Sequence, residues 1–335
     1  MAKRIGKKTI LLETRPSITG YASVVGKKES EGPLAKEFDK IYPDSRFGEN
    51  SYEKAESRMQ KIAMQTALQK TNISETDIDI AFAGDLLNQC IGSTFALRNL
   101  MMPLVGIYGA CSTMSLGIAL AALAVESGAA NISAAVTSSH FCSAERQYRF
   151  PLEYGNQRPQ SAQWTVTGAG ATIISHNRNK PYINAVSIGA IEDLGVKDAN
   201  NMGAAMAPAA KNTLYSFFTD TNTTPEDYDI IITGDLGKVG TDILYDLMLR
   251  DGYDLRCRHN DCGIMMYDLK GQDVHAGGSG AGCSAAVLNS FVMHRFEDGC
   301  FKNILFVSTG ALLSPTSALQ GETIPGIAHL INIKV

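Results

Sequence analysis

The stretch Gly109-Ala110-Cys111-Ser112-Thr113 joins the apolar run 102–108 to the small-residue run 114–130. An apolar run that ends at glycine is typical of a buried strand, and residues 114–125, almost wholly Ala, Leu, Ile and Gly, predict a helix that is apolar on every side. Cys111 is therefore expected at the first turn of a buried helix. The helix N-terminus favours a low-pKa thiolate there, but most free cysteines are small core residues, and position alone leaves both interpretations open.

An internal repeat extends outward from this stretch. Eight residues of the segment 71–86 recur at a constant offset of 150 positions (235 − 85 = 150). The recurring residues are Thr71-Asn72, Asp77, Asp79-Ile80 and Gly84-Asp85-Leu86, and their copies are Thr221-Asn222, Asp227, Asp229-Ile230 and Gly234-Asp235-Leu236. A constant offset over so many identities indicates a duplicated structural unit.

The repeat continues with a larger offset toward the C-terminus. Ala281-Gly282-Cys283-Ser284 echoes the stretch around Cys111 at an offset of 172, and 303–309 echoes 131–137. The offset thus grows by 22 positions, from 150 to 172. We assign these 22 additional residues to a loop in the second half, roughly 250–271. The chain is thus predicted to consist of two similar halves, residues 1–178 and 179–335.

Each half alternates strands with helices, which predicts an α/β fold with parallel strand pairs and helices on both sheet faces. A glycine-rich segment, Thr167-Gly168-Ala169-Gly170-Ala171, superficially suggests a dinucleotide phosphate loop. A dinucleotide turn needs a helix after it, and β-branched residues follow here. No cofactor is therefore predicted, and the polar stretch 26–50 is interpreted as an irregular surface excursion.

Composition excludes several classes of function. The chain has 335 residues, 44% hydrophobic and 19% charged, with a net charge of −4, so it can bury a large core but has no electrostatic basis for nucleic-acid binding. The apolar segment near the N-terminus, 9–13, is too short for a signal peptide, and 114–125 is shorter than the ~20 residues needed to span a bilayer. We expect neither secretion nor a transmembrane segment.

The cysteines do not indicate a disulfide framework or a metal site. Seven cysteines without a short repeated spacing favour a reducing compartment. Cys257, His259 and Cys262 are close in sequence, but a fourth ligand at regular spacing is missing. We interpret this segment as a solvated loop and predict no metal.

The duplicated unit, with a cysteine at the start of the central helix, resembles the thiolase superfamily. The resemblance covers most of the chain, through Ile78–Gly84, Gly109–Ser112, Gly168–Ile174 and Gly277–Leu288. It implies a duplicated thiolase-like fold, a five-layered α-β-α-β-α sandwich in which Cys111 faces loops of the second half. Because thiolase-like proteins commonly dimerise near the nucleophile, it also implies a possible homodimer.

More closely, the whole chain is similar to the stage V sporulation protein AD family of spore-forming Firmicutes. The matching strings are Thr14-Arg15-Pro16, Tyr108–Thr113, Ser138-Ser139-His140-Phe141 and Gln147–Pro151. The resemblance implies a role in moving dipicolinic acid, pyridine-2,6-dicarboxylate, into the developing spore together with membrane-embedded channel proteins. It implies a location peripheral to the spore inner membrane, and it connects the chain to transport and germination.

The groups that make the thiolase cysteine reactive are absent or displaced. In synthases with a Cys-His-Asn set, the histidine position corresponds to the turn Gly234-Asp235-Leu236-Gly237, and the asparagine position to Gly277-Gly278-Ser279-Gly280. Asp235 cannot replace the histidine, because a carboxylate raises a thiol pKa. His275 lies two positions from the histidine of thiolases proper. We therefore expect a protein without catalytic activity. The alternatives are a residual acyl-transfer enzyme that uses Cys111 and a structural adaptor with a vestigial cleft.

Dipicolinate is flat, aromatic and doubly anionic, so arginines interleaved with aromatic side chains suit it. Arg146, Arg149 and Arg158 follow a predicted strand and alternate with Phe141, Tyr148 and Phe150, although snorkelling arginines of a solvated loop give the same pattern. The ligand-binding residues we predict are Cys111, Ser139, His140, Arg146, Arg149, Asp235, His275, Gly277 and Gly278. Calcium could accompany the ligand as its chelate, but no EF-hand loop is present.

Overall fold

The computed structural model describes residues 2–148, 158–176 and 181–335 and consists of two similar α/β halves. The first contains β1 (Lys3–Ile5), β2 (Thr9–Leu11), β3 (Ser17–Val25), β4 (Lys40–Ile41), α1 (Tyr52–Thr71), β5 (Ile80–Gly84), α2 (Ile91–Leu97), β6 (Leu104–Gly106), α3 (Thr113–Ser127), β7 (Ile132–Ser139), α4 (Phe141–Tyr148), β8 (Trp164–Thr165) and β9 (Gly168–Ser175). The second contains β10 (Tyr182–Ser187), α5 (Met202–Thr221), β11 (Ile230–Thr233), α6 (Gly237–Arg250), β12 (His259–Asp261), α7 (Cys262–Met266), β13 (Gly278–Ser279), α8 (Ala281–Val287), α9 (Met293–Glu297), β14 (Asn303–Ala311), α10 (Pro315–Leu319) and β15 (Gly326–Lys334).

The strand order confirms the duplication. The first half runs β6-β5-β7-β9-β3 and the second β12-β11-β14-β15-β10. In each half the first three strands pair in parallel and the last two join antiparallel. The two sheets meet where Tyr182 pairs with Ser17. The predicted order of elements is therefore present twice.

Three hydrophobic clusters fill the space between five layers. One lies between α1 and the first sheet, and another between α5, α6 and the second sheet. The third surrounds α3 and α8, which form the central layer and contact strands of the first sheet, and α3 also contacts strands of the second. The α-β-α-β-α sandwich expected from the resemblance is thus observed, with α3 and α8 at its centre.

The repeated polar residues perform the same task in both halves. Asp77 and Asp227 each close a capping box at a short 3-10 turn before the first inner strand. Asp79 accepts hydrogen bonds from Asn131 and Ile132 N–H groups, and Asp229 accepts the equivalent bonds from Lys302 and Asn303. These backbone bonds explain why the sequence repeats at these positions.

Two segments differ from the sequence expectation. The stretch 26–50 is not only a surface excursion, because Glu29 is 1% exposed, accepts a hydrogen bond from Tyr267 Oη and binds Thr167 N at 3.0 Å. His259, expected in a solvated loop, begins the edge strand β12, and Cys262 is buried. In both cases tertiary burial overrides a locally polar sequence.

The central helix is apolar for reasons of packing. The stretch 110–127 is long and apolar enough, by length and composition only, to cross a membrane. However, 72% of that stretch is buried inside the fold, where it contacts both sheets. The core helix of a globular protein can have the same length and apolar composition. The composition of α3 therefore reflects its place in the central layer.

A buried carboxyl group ties α1 to the site-bearing elements. Glu56 on α1 is 1% exposed and accepts hydrogen bonds from Ser138 Oγ at 3.1 Å and Ser143 Oγ at 2.6 Å. Burial, followed by the nearby charge of Asp85, raises the pKa of Glu56 to about 8. The group is therefore protonated in the folded protein at neutral pH.

We expect Glu56 to make the protein less stable as the pH rises. Its pKa is raised from 4.5 to about 8, so its contribution is fully present below pH 4.5 and is lost as the pH approaches 8. Glu56→Gln, which stays neutral, should flatten this loss in urea unfolding measured at pH 5, 6.5 and 8. Glu226→Gln, at an exposed position, is the matched control. Parallel pH profiles for wild type and Glu56→Gln would contradict the assignment.

Candidate functional site

A cavity of about 260 Å³ lies between the two halves above Cys111. Its walls are mainly apolar and come from both halves. The lining residues are Leu86, Tyr108, Ala110, Cys111, Ala144, Glu145, Tyr148, Thr165, Ala199, Asn200, Met202, Ser279, Gly280, Ala311 and Leu313. This volume is slightly below the roughly 300–1,000 Å³ of typical small-molecule pockets, so a compact ligand fits it better than a long chain.

A tight turn places Cys111 at the cavity floor. Ala110 has a left-handed backbone, with φ of 49°, and Thr113 Oγ1 donates to its carbonyl at 2.6 Å. Ser112 N and Oγ both donate to the Gly109 carbonyl, at 3.0 and 2.5 Å. Because α3 begins at Thr113 with Ser112 as its N-cap, Cys111 precedes the helix and does not lie in its first turn as expected.

The close approach of the second half requires glycine at position 310. A Cβ atom at Gly310 would lie 2.5 Å from the Gly109 carbonyl oxygen and 3.2 Å from Cys111 N. Strand β14 therefore passes directly beside the turn that carries the thiol. The contact fixes the position of Cys111 relative to the other half.

The surroundings of Cys111 keep its thiol protonated. The side chain is 6% exposed, and burial, followed by the charge of Asp235 and a hydrogen bond to it, raises the pKa of the thiol well above its usual value. Gly280 N–H and the Ser279 hydroxyl oppose this shift only partly. Of the two interpretations left open by the sequence, the low-pKa thiolate is therefore wrong, and Cys111 is a small buried residue with a neutral thiol.

Asp235 reaches the thiol from the turn after β11. Its carboxylate accepts hydrogen bonds from Thr309 Oγ1 at 2.8 Å, Ser279 Oγ at 3.0 Å and Gly280 N at 2.9 Å. Burial is the largest influence and raises the pKa of Asp235 to about 6, although these donors oppose it. At neutral pH the group is largely ionised, so the thiol faces a carboxylate.

No histidine lines the cavity among the residues described. His140 Nδ1 accepts from Cys142 N at 3.1 Å, and its Nε2 lies 2.6 Å from the Ser45 carbonyl oxygen. His275 Nδ1 lies 2.8 Å from the Pro159 carbonyl oxygen, and its Nε2 lies 3.0 Å from Asp273 Oδ1. Both imidazoles are occupied by contacts away from the thiol.

One histidine that the sequence analysis did not select lies near the Cys111 turn. His329 on β15 is 3% exposed, and its Nε2 would be 3.7 Å from a Cβ atom at Gly109. Its Nδ1 accepts a hydrogen bond from Gly189 N at 3.1 Å. Burial lowers the pKa of His329 to about 4, so the ring is neutral and contacts the backbone of the turn.

Of the remaining predicted residues, the glycines and Ser139 have packing roles. Ser139 Oγ donates to the Val166 carbonyl at 2.7 Å and accepts from Gly282 N at 3.0 Å. Gly277 has φ of +115°, and a Cβ there would lie 2.7 Å from the Gly263 carbonyl oxygen. The Gly278 carbonyl accepts a hydrogen bond from Gln163. They support the wall around Ser279 and Gly280 without lining the cavity.

The predicted arginines are dispersed. Arg146 forms an ion pair with Glu53 on the outside of the first half, and Arg158 pairs with Asp273. Arg149 lies outside the described residues. Of the nine predicted ligand-binding residues, the structure therefore brings Cys111 and Asp235 together at the cavity, and the role of the set stays a prediction.

Two tyrosines lie in the wall: Tyr148, which the sequence analysis named among the aromatic residues between the candidate arginines, and Tyr108, which it did not select as a site residue. Tyr148 Oη donates to the Leu86 carbonyl at 2.6 Å and lies 3.2 Å from Tyr108 Oη. Both occur in strings quoted for the family resemblance, which was the available signal. Asn200 and Met202 enter the cavity from the second half, and nothing in the local sequence indicates this.

The site offers no arrangement for a metal. Among residues 2–148, 158–176 and 181–335, no three His, Cys, Asp or Glu side chains are grouped to hold an ion. The chemistry available to the described lining is hydrogen bonding by hydroxyl, amide and carboxylate groups around an apolar space.

We expect Cys111 to react slowly with iodoacetamide, and Asp235→Asn to accelerate that reaction. Removing the carboxylate charge lowers the thiol pKa, and one pKa unit gives about tenfold more thiolate well below the pKa. Mass spectrometry of Cys111 peptides at pH 8 gives the rate, and the exposed Cys257 and Cys300 are internal controls. Equal Cys111 rates in both proteins, with unchanged thermal stability, would show that Asp235 does not suppress the thiol.

Comparison with known proteins identifies the family. The profile of stage V sporulation protein AD (SpoVAD) matches residues 6–334. Stage V sporulation protein AD of Bacillus subtilis strain 168 is 43% identical over 327 residues, which cover 98% of this chain and 96% of that protein.

Solved structures confirm the fold. Acetamide-bound OleA from Xanthomonas campestris superposes with a TM-score of 0.60 at 15% identity, covering 97% of this chain and 100% of that one. The 3-oxoacyl-[acyl-carrier-protein] synthase III of Aquifex aeolicus gives 0.57 at 11% identity, covering 96% and 100%. At these identities the likeness establishes the thiolase-like fold alone. The sequence matches establish the family, and the chain belongs to the stage V sporulation protein AD family.

Proposed function

We propose that this sporulation protein binds a small ligand in the cavity above Cys111 and does not perform acyl transfer. The observation that carries the proposal is the burial of the Cys111 thiol beside the charge of Asp235, which together raise the pKa of the thiol. A cysteine nucleophile needs a thiolate or a base that accepts its proton. The ionised Asp235 instead disfavours the thiolate, and an enclosed apolar cavity remains.

The ligand we propose is dipicolinic acid, because the family resemblance implies it and the cavity suits a compact planar molecule. The apolar walls would receive the ring, and the hydroxyl of Tyr108 could donate to a carboxylate by leaving Tyr148 Oη, whose own proton is donated to the Leu86 carbonyl. Glu145 also lines the cavity and accepts a hydrogen bond from Thr165 Oγ1 at 3.0 Å. Two carboxylates of the ligand beside Glu145 and Asp235 require a nearby positive charge.

Arg149 is the cation that the proposal requires. The lining residues that the structure describes include no lysine or arginine, and Arg149 follows Tyr148 directly in sequence. A bidentate guanidinium matches a carboxylate in both charge and geometry. Calcium carried as the dipicolinate chelate is the other source of positive charge.

Calorimetric titration with dipicolinic acid tests the proposal. We expect saturable binding by the wild type, at least about tenfold weaker binding by Arg149→Gln, and unchanged binding by Arg146→Gln, because Arg146 pairs with Glu53 on the exterior. Titrations with and without calcium distinguish the chelate from the free acid, and isophthalic acid, which lacks the ring nitrogen, is the ligand control. Absence of heat with either form of the ligand would refute the proposal.

Residual acyl transfer is the second candidate, because Cys111 occupies the position of the nucleophile implied by the thiolase resemblance. Incubation with acyl-CoA followed by intact-mass measurement tests it directly. An added acyl mass on wild type but not on Cys111→Ala would establish an enzyme. We expect the unmodified mass.

We further propose that the protein acts peripherally at the spore inner membrane and delivers its ligand to membrane-embedded channel proteins. The support is the family membership together with the enclosed site. A protein that holds a dianion in a cavity between two domains is suited to transfer it to a channel.

We also propose that the chain forms a homodimer through β6. This strand pairs on one side with β5 and is exposed along its length, with Leu104 and Val105 39% and 43% exposed. An exposed apolar edge strand is a template for pairing with another chain.

Light scattering tests the dimer. We expect a mass near twice 36.0 kDa for the wild type and a monomer for Val105→Glu, because the charge would be buried in the interface. Leu249→Glu, at an apolar α6 position 48% exposed, is the matched control and should remain dimeric. A monomeric wild type at high micromolar concentration would contradict the proposal.

A further inference from the structure

The outer helical layer of the first half contains a groove that the second half does not leave open. It has a volume of about 780 Å³ and lies between α1 and α2. Its α1 wall extends from Lys54 to Gln65, about 17 Å at 1.5 Å per residue. Apolar side chains of Ile62, Ile91 and Phe95 line it, and the last two are 39% and 47% exposed.

The groove carries unpaired positive charge. Within the described part of the chain, Lys54, Lys61 and Arg98 form no ion pair, although each lines the groove. Arg98 lies over the Phe95 ring at 4.6 Å. The two acidic residues of the lining are already engaged, Glu49 with Arg58 and Glu53 with Arg146. The net field is therefore positive in a protein whose overall charge is −4.

The second half shows what covers the equivalent surface. Lys211, the repeat counterpart of Lys61, pairs with Asp251 at 2.5 Å. Tyr253 packs against Tyr215, the counterpart of Gln65, and against Phe218, with ring centroids 6.1 and 5.0 Å apart. Asp251 and Tyr253 therefore supply a carboxylate and an apolar ring to the outer face of α5.

The first half has a shorter connection at the place where the second half carries these groups. Ala81 pairs with Leu104, 23 positions later, whereas the equivalent Ile231 pairs with His259, 28 positions later. Asp251 and Tyr253 lie in the second-half loop 251–258, which is two residues longer than the first-half loop 98–103, and α6 has 14 residues against 7 in α2. Lys61 therefore has no carboxylate equivalent to Asp251, and the apolar side chains beside it have no ring equivalent to Tyr253 packed against them.

We infer that this groove binds an acidic, amphipathic segment of a protein partner. Such a segment would place carboxylates against Lys54, Lys61 and Arg98 and an apolar face against the floor, as the second half does internally with Asp251 and Tyr253. The surface is concave and lies between two helices, so an inserted segment fits it better than a flat lipid surface does. This inference does not rest on ligand binding in the central cavity.

Two labelled twelve-residue amphipathic helices, measured by fluorescence anisotropy on the full chain, test the inference. Both carry Leu and Phe on one face, and the opposite face carries Glu in one peptide and Lys in its twin. We expect the Glu peptide to bind at least tenfold more tightly than the Lys twin. Lys61→Glu should weaken binding of the Glu peptide at least tenfold. The double variant Lys54→Glu, Lys61→Glu should bind the Lys twin more tightly than the Glu peptide.

Controls separate the groove from general effects. Lys270→Glu changes an exposed lysine elsewhere and should leave binding unchanged, whereas Phe95→Ser should weaken both peptides. Equal affinity for the two peptides, or Glu-peptide binding that survives Lys61→Glu, would overturn the inference. Phosphatidylglycerol vesicles that bind in a Lys61-dependent manner without Glu-peptide binding would assign the surface to lipid. A change of mass in Phe95→Ser would assign it to a second copy of the chain.

Discussion

The electrostatic interaction between the buried thiol of Cys111 and the carboxylate of Asp235 links the two halves and determines the protonation state of the thiol at the central cavity. Cys111 belongs to the turn before α3, and Asp235 to the turn after β11. The two ionisations are linked, because burial raises both pKa values, the Asp235 charge raises that of the thiol further, and the neighbouring thiol lowers that of Asp235. The neutral thiol is the form that can donate to the carboxylate. The arrangement that stabilises the neutral thiol beside the carboxylate therefore also disfavours the nucleophilic thiolate.

Asp85 and Asp235 occupy the same position of the two repeats but have different surroundings. Asp85 accepts bonds from Leu87 N, Ser93 N and Ser93 Oγ, all within its own half. Asp235 likewise accepts bonds from Thr309, Ser279 and Gly280 of its own half, but it also lies beside the thiol of the other half. The repeats bring their equivalent turns to the common central layer, where Asp235 holds Ser279 and Gly280 of the cavity wall and raises the pKa of the Cys111 thiol. Because the halves pack face to face, the same residue type serves local structure in one and the site in the other.

The sequence predicted the fold well because its signals are physical and repeated. Asp77, Asp79 and their counterparts recur at a fixed spacing since each satisfies backbone N–H groups at a fixed place in the unit. The site was harder to predict. The contribution of Asp235 to the thiol pKa followed from the resemblance, but Asn200 and Met202 reach the cavity through the packing of two halves, which no local pattern encodes. The arginines illustrate the limit, since Arg146 points outward to Glu53 despite its favourable spacing.

The duplication also shows why a cysteine persists where a thiolate is disfavoured. The backbone of the Cys111 turn packs against β14 so closely that Gly310 has no space for a Cβ atom, and the Cys111 side chain is only 6% exposed, so a small side chain suits this position. Alanine would fit, but it would remove the donor facing Asp235 in a site where buried acceptors need partners. A small, weakly polar side chain satisfies both constraints without ionising. The residue that a transferase would use as its nucleophile is thus also the residue that packing and hydrogen bonding require in a binding cavity.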